Sequence, residues 1–159
     1  MALTGGRNYF EDFEPGQLLK HARGKTMCEQ DNVGITLMVL NTAEGHFNEH
    51  LMQRSGMGGR GWTSRLQFGG VTISMVIGLS MQDTGENALT ELKLDKIRLE
   101  APVFHGDTLY AFTEVLGKRD ADRPDAGVVT FKHYGVNQKD QVVFEGERTV
   151  LIKRKSHWK

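Results

Sequence analysis

Apolar and polar positions follow two different rhythms along this chain. Before about Gly85 the segments read as helical or irregular, and after it they read as strands. A Pro15-Gly16 turn leads into a predicted first strand over residues 17–27. Cys28 then stands where a helix N-cap is expected, and Glu29 and Asp31 fall in the first turn, where acidic side chains favour the positive end of the helix dipole. Val33, Leu37 and Leu40 lie on one face with Ile35 and Met38 beside it, so a helix over 30–40 is predicted. After a bend at 41–45, residues 48–54 predict a second short helix. Residues 55–62 hold four glycines and predict a mobile loop.

Gly69-Gly70 opens the run 71–81, which is apolar on all faces and predicts a helix buried on every side. Ser74 and Gly78, four apart, form a small-residue stripe that another backbone could approach. Strands are predicted at 93–100, 108–119, 127–136 and 141–153, with turn chemistry at Asp125-Ala126-Gly127 and at 137–140. One long helix and a meander of antiparallel strands predict a single α+β domain over residues 1–159, its sheet wrapped round the helix. Such a sheet has edges to cover, and pairing into a homodimer or higher homo-oligomer is the expected remedy.

Composition narrows the function classes. Lys plus Arg and Asp plus Glu are both 20, and this neutral balance argues against a nucleic-acid partner. Run 71–81 is too short to cross a bilayer, so no membrane is expected. The single cysteine, Cys28, allows no intrachain disulfide and reads as structural. The N-terminus lacks a secretory pattern, which makes the cytoplasm the expected compartment.

Three stretches carry a family resemblance. Asn41-Thr42-Ala43-Glu44-Gly45-His46-Phe47-Asn48 resembles the Asp-or-Asn, four residues, His motif of MaoC-like hydratases and dehydratases. Phe68-Gly69-Gly70 resembles the family's entry to the buried helix. Ala101-Pro102-Val103-Phe104-His105-Gly106-Asp107-Thr108-Leu109 is similar to its Pro-Val-Phe-x-Gly-Asp-Thr-Leu strand entry. Together, in this order, the stretches identify a resemblance spanning residues 9–153. The resemblance implies a hot-dog fold, a dimer, and an acyl-CoA or carrier-linked thioester substrate whose 2,3-double bond is reversibly hydrated.

Hydration needs a placed water, a group that takes and returns a proton, and a site for the charge developing on the thioester oxygen. His46 suits the second role because imidazole titrates near neutrality. Asn41 stands where many relatives carry Asp. An amide is not a base, so Asn41 is expected to hold the water. Branches acting on branched or dicarboxylic acyl-CoAs, such as mesaconyl-CoA hydratases, are similar in this respect. Glu44 could stand in for the missing carboxylate, although its loop position points to solvent. Gly70 opens the helix and is the expected oxyanion site, with Gly69 beside it in substrate binding. Arg60 and Arg65, and the region of Arg119 and Arg123, are expected to meet CoA phosphates. No cofactor or metal is expected.

His46-Phe47-Asn48-Glu49-His50 also spells H-x-x-E-H, the inverted zinc-peptidase motif. That chemistry needs both histidines on one helical face, whereas Gly45 and the preceding bend predict that His46 stands at or before the helix start. A non-catalytic acyl-CoA-binding protein and a thioesterase on the same fold are the other readings.

Overall fold

A computed structural model describes residues 6–158, the side chains of residues 57 and 58 excepted. Strand β1 (Leu18–Thr26) is followed by a π-helical turn (Gln30–Gly34) that runs directly into α1 (Ile35–Met38). The Cys28 N–H is met by the Asp31 carboxylate at 2.9 Å, so Cys28 sits at the start of the helical stretch. A 3-10 turn (Glu44–His46) precedes α2 (Glu49–Gly59), and α3 (Gly69–Thr84) is the long helix.

Helix α2 corrects the predicted loop. Asn48 caps it by accepting from the Leu51 N–H at 3.0 Å, and the fully buried Met52 anchors it. It runs on through Gly56 and Gly59, whose φ values of 52° and 89° only glycine adopts without strain.

Strands β2 (Ala88–Leu99), β3 (Thr108–Asp120), β4 (Ala126–Asn137) and β5 (Val142–Lys153) join β1 in one antiparallel sheet of order β1-β3-β4-β5-β2. A short helix, α4 (Lys155–Trp158), ends the described chain. β2 starts five residues before the predicted position. Its apolar alternation, Leu92 and Leu94 and then Ile97 and Leu99, changes phase at Asp95-Lys96, which hides the strand from a simple period of two. The register against β5 shifts there, with Lys96 at φ 49°.

Helix α3 packs its Val71 and Val76 against Leu109, Ala111, Val143 and Phe144. A second cluster, built on Phe13, Val129, Phe131 and Ile152, fills the other end of the sheet, with Phe13 and Phe131 edge to face at 5.0 Å. The helix is not enclosed on every side as predicted. Ser74 and Gly78 are exposed, and they face a groove of about 720 Å³. Among the described residues no helix is long and apolar enough to cross a membrane.

Candidate active site

His46 ends the 3-10 turn immediately before α2 and is half-buried. Its Nδ1 lies 2.8 Å from the Leu66 carbonyl oxygen. A carbonyl can only accept, so Nδ1 carries a proton, and in the neutral imidazole the lone pair is on Nε2. Leu66 holds the loop a second time, its N–H donating to the Gly45 carbonyl at 3.0 Å. The Phe68 ring lies against the imidazole with 5.5 Å between centroids.

Asn32, which sequence reading passed over, joins these segments. Its Nδ2 donates to the His46 carbonyl at 2.9 Å, with a longer contact of 3.4 Å to the Leu66 carbonyl. Its Oδ1 accepts from the Phe68 N–H at 2.8 Å. One amide therefore ties the histidine loop to the start of α3. An asparagine inside a helical pattern gives no sequence signal of such a role.

A cavity of about 390 Å³ opens beside His46. Its wall includes Arg60, Trp62, Gln67, Gly69, Thr72 and the stretch 99–103. The groove beside Ser74 is larger but brings no histidine to its walls, so the smaller cavity is the candidate site. Of the two glycines, Gly69 lines the cavity. A Cβ there would come within 2.4 Å of Leu99 Cδ1, so glycine permits that close approach. Gly70 makes room for Phe68, since a Cβ would meet the ring at 2.6 Å. The Val71 and Thr72 N–H groups donate to the Phe68 carbonyl at 2.9 and 3.3 Å, which leaves the Gly69 and Gly70 N–H groups at the start of α3 without an acceptor inside the helix.

The other expected site residues divide. Arg60 lines the cavity with its guanidinium 5.2 Å from the centre of the Trp62 ring. Arg65 instead bonds Glu49 at 2.9 Å and Glu29 at 2.5 Å, so two carboxylates already occupy it. Asn41 is half-buried, and its Oδ1 accepts from the Ala43 N–H at 3.0 Å, closing the bend ahead of His46. Glu44 is exposed and reaches Asn48. Arg123 pairs with Asp125 in the β3–β4 connection, and neither it nor Arg119 lines the cavity.

The H-x-x-E-H spelling does not form one helical face. Asn48 is the cap, His46 precedes it, and His50 is exposed in the first turn. The Arg65 backbone N–H, aided by its guanidinium, holds the Glu49 carboxyl below the usual range, which keeps it in that ion pair.

A family model described as mesaconyl-CoA hydratase matches residues 5–154. A mesaconyl-CoA hydratase of Haloarcula marismortui is 35% identical over 157 residues, covering 92% of this chain and 42% of that protein. A beta-methylmalyl-CoA dehydratase of Chloroflexus aurantiacus is 38% identical over 118 residues, covering 74% of this chain and 32% of that protein. Among solved structures, a MaoC-domain dehydratase from Chloroflexus aurantiacus gives a TM-score of 0.83 at 28% identity, covering 95% of this chain and 46% of that one. A Mycobacterium tuberculosis protein with a double hot-dog fold gives 0.81 at 24% identity, covering 97% and 46%. This chain thus spans less than half the length of these relatives. The central helix and wrapped antiparallel sheet are a hot-dog fold, and the chain belongs to the mesaconyl-CoA hydratase family.

Proposed function

We propose that this chain hydrates and dehydrates an acyl-CoA thioester reversibly, with His46 as its acid/base. The observation that carries the reading is the fixed tautomer. With Nδ1 donating to Leu66, Nε2 is a free base at the wall of a cavity that opens onto the start of α3. Water adds to C3 of the enoyl thioester and gives a proton to Nε2. The electron pair of the double bond moves toward the thioester oxygen, where the N–H groups of Gly69 and Gly70 stabilise it. The imidazolium then protonates C2, and the reverse sequence expels water.

The relatives' names favour a branched, dicarboxylic acyl group of the mesaconyl-CoA kind. Arg60, which among the described residues makes no ion pair, receives an anionic group of the substrate. Asn41 keeps the bend in shape through Oδ1, and its Nδ2 remains able to donate to a water. The enzyme acts in the cytoplasm as a homodimer. Support for the dimer is the edge strand β2, whose Leu94, Ile97 and Leu99 are 46%, 41% and 53% exposed although their neighbours on β5 are buried.

A panel of enoyl- and 3-hydroxyacyl-CoAs, including mesaconyl-CoA and crotonyl-CoA, tests the reading through the absorbance of the conjugated thioester. Turnover of at least one is expected, with a loss of at least about 100-fold in His46→Ala at unchanged thermal unfolding. A His46→Ala protein that keeps most of its activity overturns the assignment.

A further inference from the structure

We infer that the side-chain carbonyl of Gln67 holds the nucleophilic water against His46. The inference rests on the hydratase reading above and assigns the second contact that this water requires.

Gln67 is 4% exposed and lines the same cavity as His46. Its Nε2 donates to the Thr72 hydroxyl at 3.0 Å, and its backbone N–H donates to the Val103 carbonyl at 2.8 Å. Both bonds fix where the amide points. Its Oε1 is buried and meets no donor among the described residues. A buried acceptor without a donor is rare in folded proteins and implies a group that arrives from outside the chain. The preceding residue, Leu66, supplies the carbonyl that orients His46, so the base and the open acceptor are set by adjacent peptide units.

The attacking water must keep a lone pair aimed at C3 while one hydrogen goes to His46 Nε2. Its other hydrogen needs an acceptor that will not take the proton. The carboxylates and amides nearby are otherwise engaged. Asn41 Oδ1 is bonded to the Ala43 N–H, Glu49 to Arg65, and Glu44 points to solvent. Glu100 is on the cavity wall, but it is exposed and sits 4.0 Å from Arg98. The buried side-chain acceptor left on this wall is Gln67 Oε1. As a neutral group it aligns the water without adding negative charge beside the imidazole.

The test compares wild type, H46A, Q67M and Q67E on mesaconyl-CoA and crotonyl-CoA, with thermal unfolding as the fold control. Q67M keeps the side-chain length and removes the acceptor. It is expected to lower kcat roughly 10- to 100-fold with KM within about twofold. Q67E restores an acceptor and should recover most of kcat. Its added carboxylate should also move the acidic limb of the pH–rate profile upward, because a nearby negative charge favours protonated imidazole. The inference is overturned by a Q67M enzyme within about threefold of wild-type kcat, or by one changed only in KM. If Q67M does not fold, an unmoved pH profile in Q67E overturns it equally. A wild type that turns over no member of the enoyl- and 3-hydroxyacyl-CoA panel overturns the hydratase reading and this inference together. Activity that is lost in H46A but kept in Q67M removes only the role of Gln67.

Discussion

Asn32 satisfies two carbonyls and one N–H from two separate stretches of chain with a single amide. Replacing it with alanine leaves the Phe68 N–H without its acceptor and frees the loop that carries His46. Asn32→Ala should therefore lose about 2–3 kcal/mol of stability, measured by urea unfolding, and lose kcat without touching substrate. Of the residues around the cavity, His46 was legible because the motifs before and after it fix its neighbourhood. Gln67 and Asn32 were not. Each is a polar residue in an otherwise apolar pattern, and only the fold brings Asn32 to a partner 36 residues away or leaves the Gln67 Oε1 without a donor among the described residues. Arg60 and Arg65 looked alike in sequence. They part because Glu29 and Glu49 converge on Arg65 alone.

At the scale of elements, the sheet carries a buried polar row beneath α3. Asp83 on the helix bonds His21 on β1 at 2.6 Å, and His21 reaches Thr113 on β3 at 2.7 Å. Thr113 reaches His133 on β4, also at 2.7 Å. Next along the sheet, Arg148 of β5 is buried and pairs with Glu91 of β2. Burial pushes His133 down from its ordinary value of 6.5 to about 3, and the positive charges of Arg148 and His21 act in the same direction. Burial also lowers His21, against the opposing pull of Asp83. In the pH range between 3 and 6.5 the unfolded chain binds a proton at His133 that the folded chain refuses. Stability from this group is thus full above about 6.5 and is lost as pH falls toward 3. At pH 5 the His133 contribution amounts to a loss of about 2 kcal/mol. Urea unfolding at pH 7 and pH 5 should show that much greater loss in wild type than in His133→Gln. Strands β3, β4 and β5 were legible to within a few residues, because their apolar alternation and turns agree. The start of β2 and the length of α2 were not, since a phase change disguised the one and glycines the other.

At the scale of the molecule, the helix face bearing Ser74 and Gly78 and the apolar edge β2 both lie open in the single chain. The relatives are about twice as long, and one of them has a double hot-dog fold. Two open apolar faces of this kind are what a second copy of the chain would cover. Sedimentation should accordingly find a dimer, and Leu94→Asp, which places a charge on the open edge, should shift it to monomer. Sequence reading expected a pairing from the sheet's need for a covered edge, and it took α3 to be enclosed within one chain. The patterning that marks a helix as apolar all round does not say whose residues surround it. Leu99 carries a further consequence. It lies on the half-exposed edge strand, packs onto Gly69 at the head of α3, and forms part of the cavity wall beside His46. In a dimer clamped along that edge the partner would bear on the cavity through Leu99, and turnover per chain should then fall on dilution through the dissociation range.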